Sequence, residues 1–205
     1  MVLANQTSPR RLEFLEERRL LSADVTLEDG TLNVRGTKDD DTIVVSLDAA
    51  DAAKLNVTLN GTSHSFNLAD VLQVKMIGKR GNDSLIMDET AGSILLPAHL
   101  VGGPGNDVLV GASGDDKLLG GKDDDHMTGN AGNDKMKGAH GDDTMRGNAG
   151  EDMLNGGKGA DKLKGGKGND DYDEDGFDDV DDVEVEEDEE DEVLDEVEAE
   201  DDLMA

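Results

Sequence analysis

Aspartate is the residue type whose spacing in this sequence points to chemistry. One aspartate stands at position 6 of each of eight consecutive nine-residue units that fill residues 102–173. Carboxylates repeated at a fixed interval suit a hard divalent cation, and Ca²⁺ takes about six to eight oxygen ligands from carboxylates and backbone carbonyls. The candidate ligands are Asp107, Asp116, Asp125, Asp134, Asp143, Asp152, Asp161 and Asp170.

Glycines in the same units would shape the turns that bring these carboxylates to a cation. Position 1 is Gly in all eight units, and position 4 is Gly in seven. Gly adopts backbone conformations that a Cβ forbids, so carbonyl oxygens can face the ion. The glycines predicted to form the turn backbone are Gly102, Gly105, Gly111, Gly114, Gly120, Gly129, Gly132, Gly138, Gly141, Gly147, Gly150, Gly156, Gly159, Gly165 and Gly168.

One stretch, GGKDDDHMTG at 120–129, looks at first like a separate transition-metal centre, because three aspartates directly precede His126. The nine-residue register instead makes Asp125 the position-6 ligand and turns His126 outward. Asp123 occupies position 4, where the other units have Gly, and Asp tolerates a left-handed backbone at a cost of order 1 kcal/mol. Its carboxylate would either reach the ion or crowd it.

Short strands are the elements that must position these residues. Positions 7 to 9 are predicted to form a strand with position 8 inward, which gives one large apolar residue per nine and too small a core. Like charges about 5 Å apart repel by ~3 kcal/mol at an effective dielectric of 20, so stacked aspartates need a cation. We therefore expect cation binding and folding to be one event. The inward residues are Leu109, Leu118, Met127, Met136, Met145, Leu154, Leu163 and Tyr172.

The repeat resembles the RTX, or haemolysin-type, calcium-binding nonapeptide G-G-x-G-x-D-x-U-x, in which U is a large apolar residue. The resemblance implies an all-β fold, a parallel β-roll or β-solenoid in which two nonapeptides make one coil. The aspartates would then lie on two edges, four to an edge, and the three gaps on each edge predict about six Ca²⁺. GKRGNDSLI at 78–86 shares the pattern, which makes Asp83 a further candidate ligand, and so does GTKDDDTIV at 36–44.

Composition divides the chain into four regions. Residues 1–23 are an arginine-rich targeting or capping segment with a short predicted helix, and residues 24–101 show alternating β-runs expected to form degenerate β-solenoid coils. Residues 102–173 are the calcium-binding β-roll. Residues 174–205 hold 20 Asp or Glu and no Lys or Arg, and we expect an acidic disordered tail.

Two terminal stretches resemble known segments. RRLEFLEERRLLSAD at 10–24 is similar to the LEPR-XLL segment of planctomycete surface proteins, and many RTX proteins leave the cell through a type I channel that reads a C-terminal segment. Both imply a secreted or cell-surface protein, by a route the sequence leaves open. DYDEDGFDDVDD at 171–182 resembles a thrombospondin type 3 or EF-hand calcium loop; its alternative is a solvated charge run. The matching residues are Asp171, Asp173, Asp175, Asp179 and Asp182.

The overall charge favours cations as partners. The formal net charge of −31 argues against nucleic acid and anionic membranes, the absence of Cys excludes disulfides and thiolate zinc sites, and no apolar run approaches a membrane span. No H-E-x-x-H or G-x-S-x-G motif occurs, and the four histidines share no ligand spacing, so we expect no enzyme activity. A fragment-like relative of an RTX enzyme stays a further alternative.

We therefore expect a calcium-binding, secreted or cell-surface structural or adhesion protein with an unidentified surface or matrix partner. The alternative is a calcium buffer or mineral-binding acidic protein. Residues 102–173 hold 15 acidic and nine basic side chains, so about six Ca²⁺ would turn the array into a cationic slab followed by the acidic tail. We hypothesise that the tail folds back on the array or competes for its ions.

Overall fold

β-strands make up nearly all of the regular structure. The computed structural model describes residues 24–172, and within that range it forms 16 strands and one 3₁₀ turn at Leu68–Asp70. No helix between residues 24 and 172 is long and apolar enough to cross a membrane. The predicted N-terminal helix and acidic tail lie outside the described residues and stay predictions.

The strands fall into an early group and a group that carries the nonapeptides. The early strands are β1 Asp24–Glu28, β2 Thr31–Arg35, β3 Thr42–Leu47, β4 Lys54–Leu59, β5 Thr62–Asn67, β6 Gln73–Ile77 and β7 Ser84–Asp88. The later strands are β8 Ala98–Pro104, β9 Val108–Val110, β10 Lys117–Lys122, β11 His126–Ala131, β12 Lys135–His140, β13 Thr144–Ala149, β14 Met153–Lys158, β15 Lys162–Lys167 and β16 Asp171–Tyr172.

Two sheets of eight strands form the walls of a solenoid. Sheet A has the order β1-β2-β6-β8-β10-β12-β14-β16, and sheet B has the order β15-β13-β11-β9-β7-β3-β4-β5. From β8 onward, successive strands alternate between the sheets and pair in parallel with the strand 18 residues away, as in the Met127↔Met145 register. Two nonapeptides therefore make one coil, and the predicted parallel β-roll is confirmed.

The coils before the repeat belong to the same solenoid but are longer. β6 pairs with β8 at a spacing of 24 residues, Val74↔Ala98, and β2 pairs with β6 at a spacing of 42, Thr31↔Gln73. The longest coil contains strands β4 and β5, which extend sheet B from β3 in antiparallel fashion. Strand β8 runs across the predicted boundary between residues 101 and 102, and the boundary itself stays a prediction.

Two Gly-containing turns form the hairpins β1–β2 and β4–β5. Asn60 and Gly61, between β4 and β5, have φ angles of +49° and +79°, and the pair Asp29 and Gly30 has φ angles of +48° and +77°. Two consecutive positive φ angles define a type I′ hairpin turn, which Asn-Gly and Asp-Gly favour. Both dipeptides therefore form hairpin turns within the solenoid.

The apolar core narrows toward the nonapeptides. The early strands β2, β3, β6 and β7 bury two large side chains each, such as Leu32 and Val34 of β2, and β4 buries three, whereas β10 buries Leu118 and then Gly120. The predicted inward residues of the repeat are buried through Leu154, while Leu163 and Tyr172 are half-buried. The early coils therefore hold most of the hydrophobic stabilisation, and the repeat depends on other interactions.

Strands β10 to β15 are longer than positions 7 to 9, so the predicted strand length is wrong for them, whereas β9 Val108–Val110 spans positions 7 to 9 as predicted. Strand β12, for example, begins at position 7 and continues through positions 1 to 3 of the next unit. Its Ala139, at position 2, has φ +90° and still pairs with Gly121 and Gly157. Because the ladder tolerates this kink, the turn itself contains only positions 4 to 6.

Candidate metal site

The aspartates at position 6 form two columns along the solenoid. The coil spacing places Asp41, Asp83, Asp107, Asp125, Asp143 and Asp161 in the first aspartate column, and Asp116, Asp134, Asp152 and Asp170 in the second. All are buried except Asp161 and Asp170, which are half-buried near the C-terminal end of the described chain. The first column therefore starts in the early coils, well before residue 101.

One oxygen of every column aspartate except Asp41 accepts a hydrogen bond from the coil before it. Oδ1 of Asp125 accepts the backbone N–H of Asp107 at 2.8 Å, and Oδ1 of Asp143 accepts that of Asp125 at 2.8 Å. The same bond joins Asp41 N–H to Asp83 at 2.8 Å and Asp83 N–H to Asp107 at 2.7 Å. Each carboxylate thus satisfies a turn N–H that the strand ladder leaves without a partner.

The second oxygen, Oδ2, lies against the glycine at position 1 of the same unit. A Cβ built on Gly138 would overlap Oδ2 of Asp143 and lie 2.6 Å from the carbonyl oxygen of Gly156. The φ angle of Gly138 is not positive, so the glycine is required by this contact and not by backbone conformation. The invariant Gly at position 1 and the invariant Asp at position 6 are therefore required by the same packing contact.

Inside the columns, Oδ2 has no hydrogen-bond partner among the described residues. The buried Oδ2 atoms concerned belong to Asp83, Asp107, Asp125, Asp134, Asp143 and Asp152. The first members differ, because Oδ2 of Asp116 accepts the N–H of Ala112 at 2.6 Å, and Oδ2 of Asp41 accepts the hydroxyl of Thr37 at 3.1 Å. Burying a carboxylate oxygen without a donor or a cation is costly, so the ionised form of these inner aspartates lacks a partner at Oδ2.

The pKa values of the stacked carboxyls reflect this burial. Desolvation, followed by the neighbouring aspartates of the same column, raises the pKa of Asp125 and of Asp134 to about 8. Burial likewise raises the pKa of Asp83 to about 7. The pKa is also raised, by burial first, at Asp107, Asp116 and Asp143 to about 6, and at Asp152 and Asp161. Without a cation, Asp125 and Asp134, in the interior of the two columns, therefore favour the protonated, neutral form at neutral pH.

A second ladder at position 5 was missed by the sequence reasoning. The side-chain oxygen of Asp115 accepts the N–H of Asn133 at 2.8 Å, and that of Asn133 accepts the N–H of Glu151 at 2.9 Å. On the other edge, Asp124 accepts the N–H of Asp142 at 2.8 Å. A position-5 side chain accepts the N–H of the following coil, whereas a position-6 side chain accepts the N–H of the preceding coil. The signal was present, since position 5 is Asn, Asp or Glu in seven of the eight units.

The third turn N–H, at position 4, also has a partner, and the turn carbonyls point along the stack. Gly141 N–H donates to the carbonyl of Lys158 at 2.9 Å. A Cβ at Gly132 would lie 2.6 Å from the carbonyl oxygen of Gly114, and one at Gly157 would lie 2.5 Å from that of Ala139. Carbonyl oxygens of one coil therefore face the next coil along both edges.

This donor set fits a hard cation that takes many of its ligands from the backbone. No group of three or more His, Asp or Glu side chains converges within residues 24–172, so side chains alone do not make a site. The unpartnered Oδ2 atoms and the carbonyls between coils supply oxygen ligands of the kind Ca²⁺ prefers, while nitrogen and sulfur ligands are missing from this set. The residues present therefore fit calcium.

Asp123 takes up the left-handed conformation that its place in the turn requires. Its φ is +72°, compared with +128° at Gly105 and +130° at Gly141, which occupy position 4 in the adjacent coils of the same edge. Its charge contributes to the raised pKa of Asp107 and, as a smaller cause, of Asp125. His126 is exposed on β11 and points away from the turn.

The structure describes only the first two residues of the candidate extra loop at 171–182. Asp171 is exposed on β16, and Asp173, Asp175, Asp179 and Asp182 lie beyond the described residues. Glu89, which the sequence reasoning did not single out, stands near the start of the second column. Its Oε1 accepts the N–H of Ile94 at 2.6 Å, its Oε2 accepts the hydroxyl of Ser113 at 3.0 Å, and its charge helps raise the pKa of Asp116.

Comparison with protein families supports this interpretation of the later coils. The family described as the RTX calcium-binding nonapeptide repeat (4 copies) matches residues 101–136 and residues 137–172. No curated protein and no solved structure matches the chain. The two matches cover the coils from the middle of β8 to β16, and the early coils lie outside them.

Proposed function

We propose, from the premise that residues 101–172 are RTX calcium-binding nonapeptide repeats, that both aspartate columns hold Ca²⁺ between successive coils and that these ions complete the fold. The observation that carries the proposal is the row of buried Oδ2 atoms without partners. When bound, Ca²⁺ would supply the positive charge that lets these carboxyls ionise and join neighbouring turns. The position-6 aspartates and the turn carbonyls would hold it.

About six ions are expected from the eight aspartates of the repeat, three on each edge. The first column continues to Asp83, whose Oδ2 has the same unpartnered environment as that of Asp107, so we include Asp83 among the ligands. Asp41 and Asp116 have protein donors at Oδ2 and would close the columns at their N-terminal ends. The loop at 171–182 remains a separate candidate.

We further propose that the protein works outside the cell as a calcium-folded structural or adhesion module. RTX repeat proteins are typically secreted or extracellular, and millimolar calcium there would keep the array loaded. The matched repeats are calcium-binding structural units, which supports a role without catalysis. The second candidate is a calcium buffer or mineral-binding protein, favoured by the formal net charge of −31.

Circular dichroism and isothermal titration on the full chain test the proposal and separate the two roles. We expect added calcium to increase the β-sheet signal over a narrow concentration range, and a chelator to reverse it. A few cooperative sites coupled to that change support the structural module, whereas many weak sites without folding support the buffer. A spectrum that is indifferent to millimolar calcium would contradict both the columns as metal sites and the coupling to folding.

A further inference from the structure

The outer face of sheet A is basic in a strongly acidic protein. Six consecutive strands of this sheet, β2, β6, β8, β10, β12 and β14, contain no Asp or Glu, although the whole chain holds 50 acidic residues. We call the outward basic side chains of these strands the basic face. They are Arg35, Lys75, His99, Lys117, Lys122, Lys135, Lys137, His140 and Lys158.

The strand register brings these basic side chains next to one another. Lys75, His99, Lys117 and Lys135 occupy one row on four adjacent strands. Adjacent strands lie about 4.7–4.9 Å apart, so the row is a ladder of basic groups at close spacing. Desolvation, together with Lys75 and Lys117, lowers the pKa of His99. Like-charged pairs directly opposite each other on a sheet are destabilising, which favours an anionic partner over this row.

Carboxylates of the described chain do not neutralise the face. The ion pair between Lys54 of β4 and Asp51 of the preceding loop lies at sheet B and involves no residue of the basic face. Beside the cationic row runs an apolar one, Ile77, Val101 and Leu119, in the same register. A fitting partner is therefore an extended acidic segment that also carries some apolar side chains.

The chain itself contains such a segment close by. Residues 174–205 carry 20 acidic and no basic side chains, with Val193, Leu194 and Val197 among them. The described chain ends in β16, which is the last strand of sheet A, so the acidic segment starts at the edge of the same sheet. From β16 to β6 the sheet spans roughly 24 Å, and 32 extended residues can reach about 105 Å.

We propose that the acidic segment 174–205 docks on the basic face of sheet A in the calcium-loaded chain. Sheet B is the poorer site, because its Lys and Arg lie on β4, β13 and β15 and are separated by the four strands β3, β7, β9 and β11, which have none. Docking pairs the charge of the segment with the row from Lys75 to Lys135 and covers the apolar row beside it. This inference rests on the proposed function, since it needs the folded array.

Paramagnetic broadening in the full chain tests the docking directly. The chain has no Cys, so Ala199→Cys places a single nitroxide label in the acidic segment. In calcium at low salt, we expect loss of amide intensity at β10 and β12 of sheet A and little loss at β11 of sheet B. The loss should disappear when salt is raised to about 1 M, where the Debye length is ~3 Å.

Two triple variants with the same change of charge complete the test. K117Q/K135Q/K137Q removes three exposed cations of the basic face, and R146Q/K162Q/K167Q removes three exposed cations of sheet B. The first should abolish the broadening and the second should retain it. Equal effects of both variants, broadening only when labelled and unlabelled copies are mixed, or binding of an added sulfated polysaccharide to the face without any contact from the segment would overturn the proposal.

Circular dichroism separates this proposal from the metal sites. A chain that acquires β-structure in calcium but shows no broadening at sheet A keeps the proposed function and refutes the docking. A chain that acquires no β-structure in calcium fails at the earlier step, and the docking fails with it.

Discussion

The Asp134→Asn variant tests whether an aspartate column without a metal ion must stay uncharged for the chain to remain folded. Asp134 is fully buried, its Oδ1 accepts the N–H of Asp116 at 2.8 Å, and its Oδ2 has no partner in the described chain. Asn keeps the acceptor oxygen and cannot ionise. The variant therefore imitates the protonated aspartic acid at every pH.

The size of the effect follows from the pKa. Burial first, and then Asp116 and Asp152, raises the pKa of Asp134 from 3.8 to about 8. At 1.36 kcal/mol per pKa unit, full ionisation costs on the order of 5 kcal/mol, which solvent screening reduces to ~2–4 kcal/mol. The pKa of Asp134 is higher in the folded chain than in the unfolded chain. The contribution of protonated Asp134 to the free energy of unfolding is therefore fully present below pH 4 and is lost as pH rises through about 8.

The assay is the far-ultraviolet circular dichroism of the full chain in chelator, titrated from pH 4 to pH 9. We expect Asp134→Asn to hold its β-signal to higher pH than the natural chain and to gain ~2–4 kcal/mol at pH 8, with no gain near pH 4. In calcium the order should reverse, because the variant lacks a ligand charge.

Asp115→Asn is the matched control. Asp115 is exposed, lies beside Asp116, and accepts the N–H of Asn133 at 2.8 Å, so the change removes the same charge and keeps the acceptor. Equal shifts for the two variants would attribute the effect to net charge alone. A variant at Asp134 that is less stable than the natural chain at both ends of the titration would refute the burial argument.

Three further predictions concern the glycines, Asp123 and the early coils. Gly138→Ala should lower stability in calcium by ~1–3 kcal/mol because its Cβ would overlap Oδ2 of Asp143, whereas Gly61→Ala, with open space around it, should cost about 1 kcal/mol from its φ alone; urea unfolding measures both. Asp123→Gly should tighten calcium binding in isothermal titration, since it removes a left-handed Asp and a charge beside Asp107; unchanged or weaker binding would make Asp123 a ligand. In chelator at neutral pH, hydrogen exchange should stay slow in β2, β3 and β6 and become fast in β11 to β15, because the large buried side chains are concentrated in the early strands; uniform exchange along the chain would contradict this.

The sequence was sufficient for features that repeat or depend on local chemistry. The nine-residue period predicted the inward Leu and Met residues, because every unit obeys one pattern, and the resemblance to the RTX nonapeptide implied the alternating edges. The dipeptides Asp29-Gly30 and Asn60-Gly61 fitted either hairpins or solenoid turns, and both form hairpin turns, since few other residues adopt consecutive positive φ angles.

Other features depend on contacts between distant residues and could not be predicted. Predicting the coil of 42 residues would require knowing that β4 and β5 extend sheet B while β6 returns to sheet A. The strict glycine at position 1 was attributed to backbone freedom, but its cause is the carboxylate five residues later, which packs on its Cα. The continuation of the strands through position 3 likewise became clear once residues 18 apart were paired.

The carboxylate columns and the outer surface of the solenoid obey different periods. A column aspartate occurs every nine residues, alternately in the first and the second column, whereas a residue and its neighbour on the same outer face are 18 apart. One additional nonapeptide before residue 108 would keep both columns filled but would move every later outward side chain to the other sheet. Lys117 and Lys135 would then leave the row that begins at Lys75. Such chains can therefore change length by single units without losing their cation ligands, but only paired additions preserve what the surface presents to a partner.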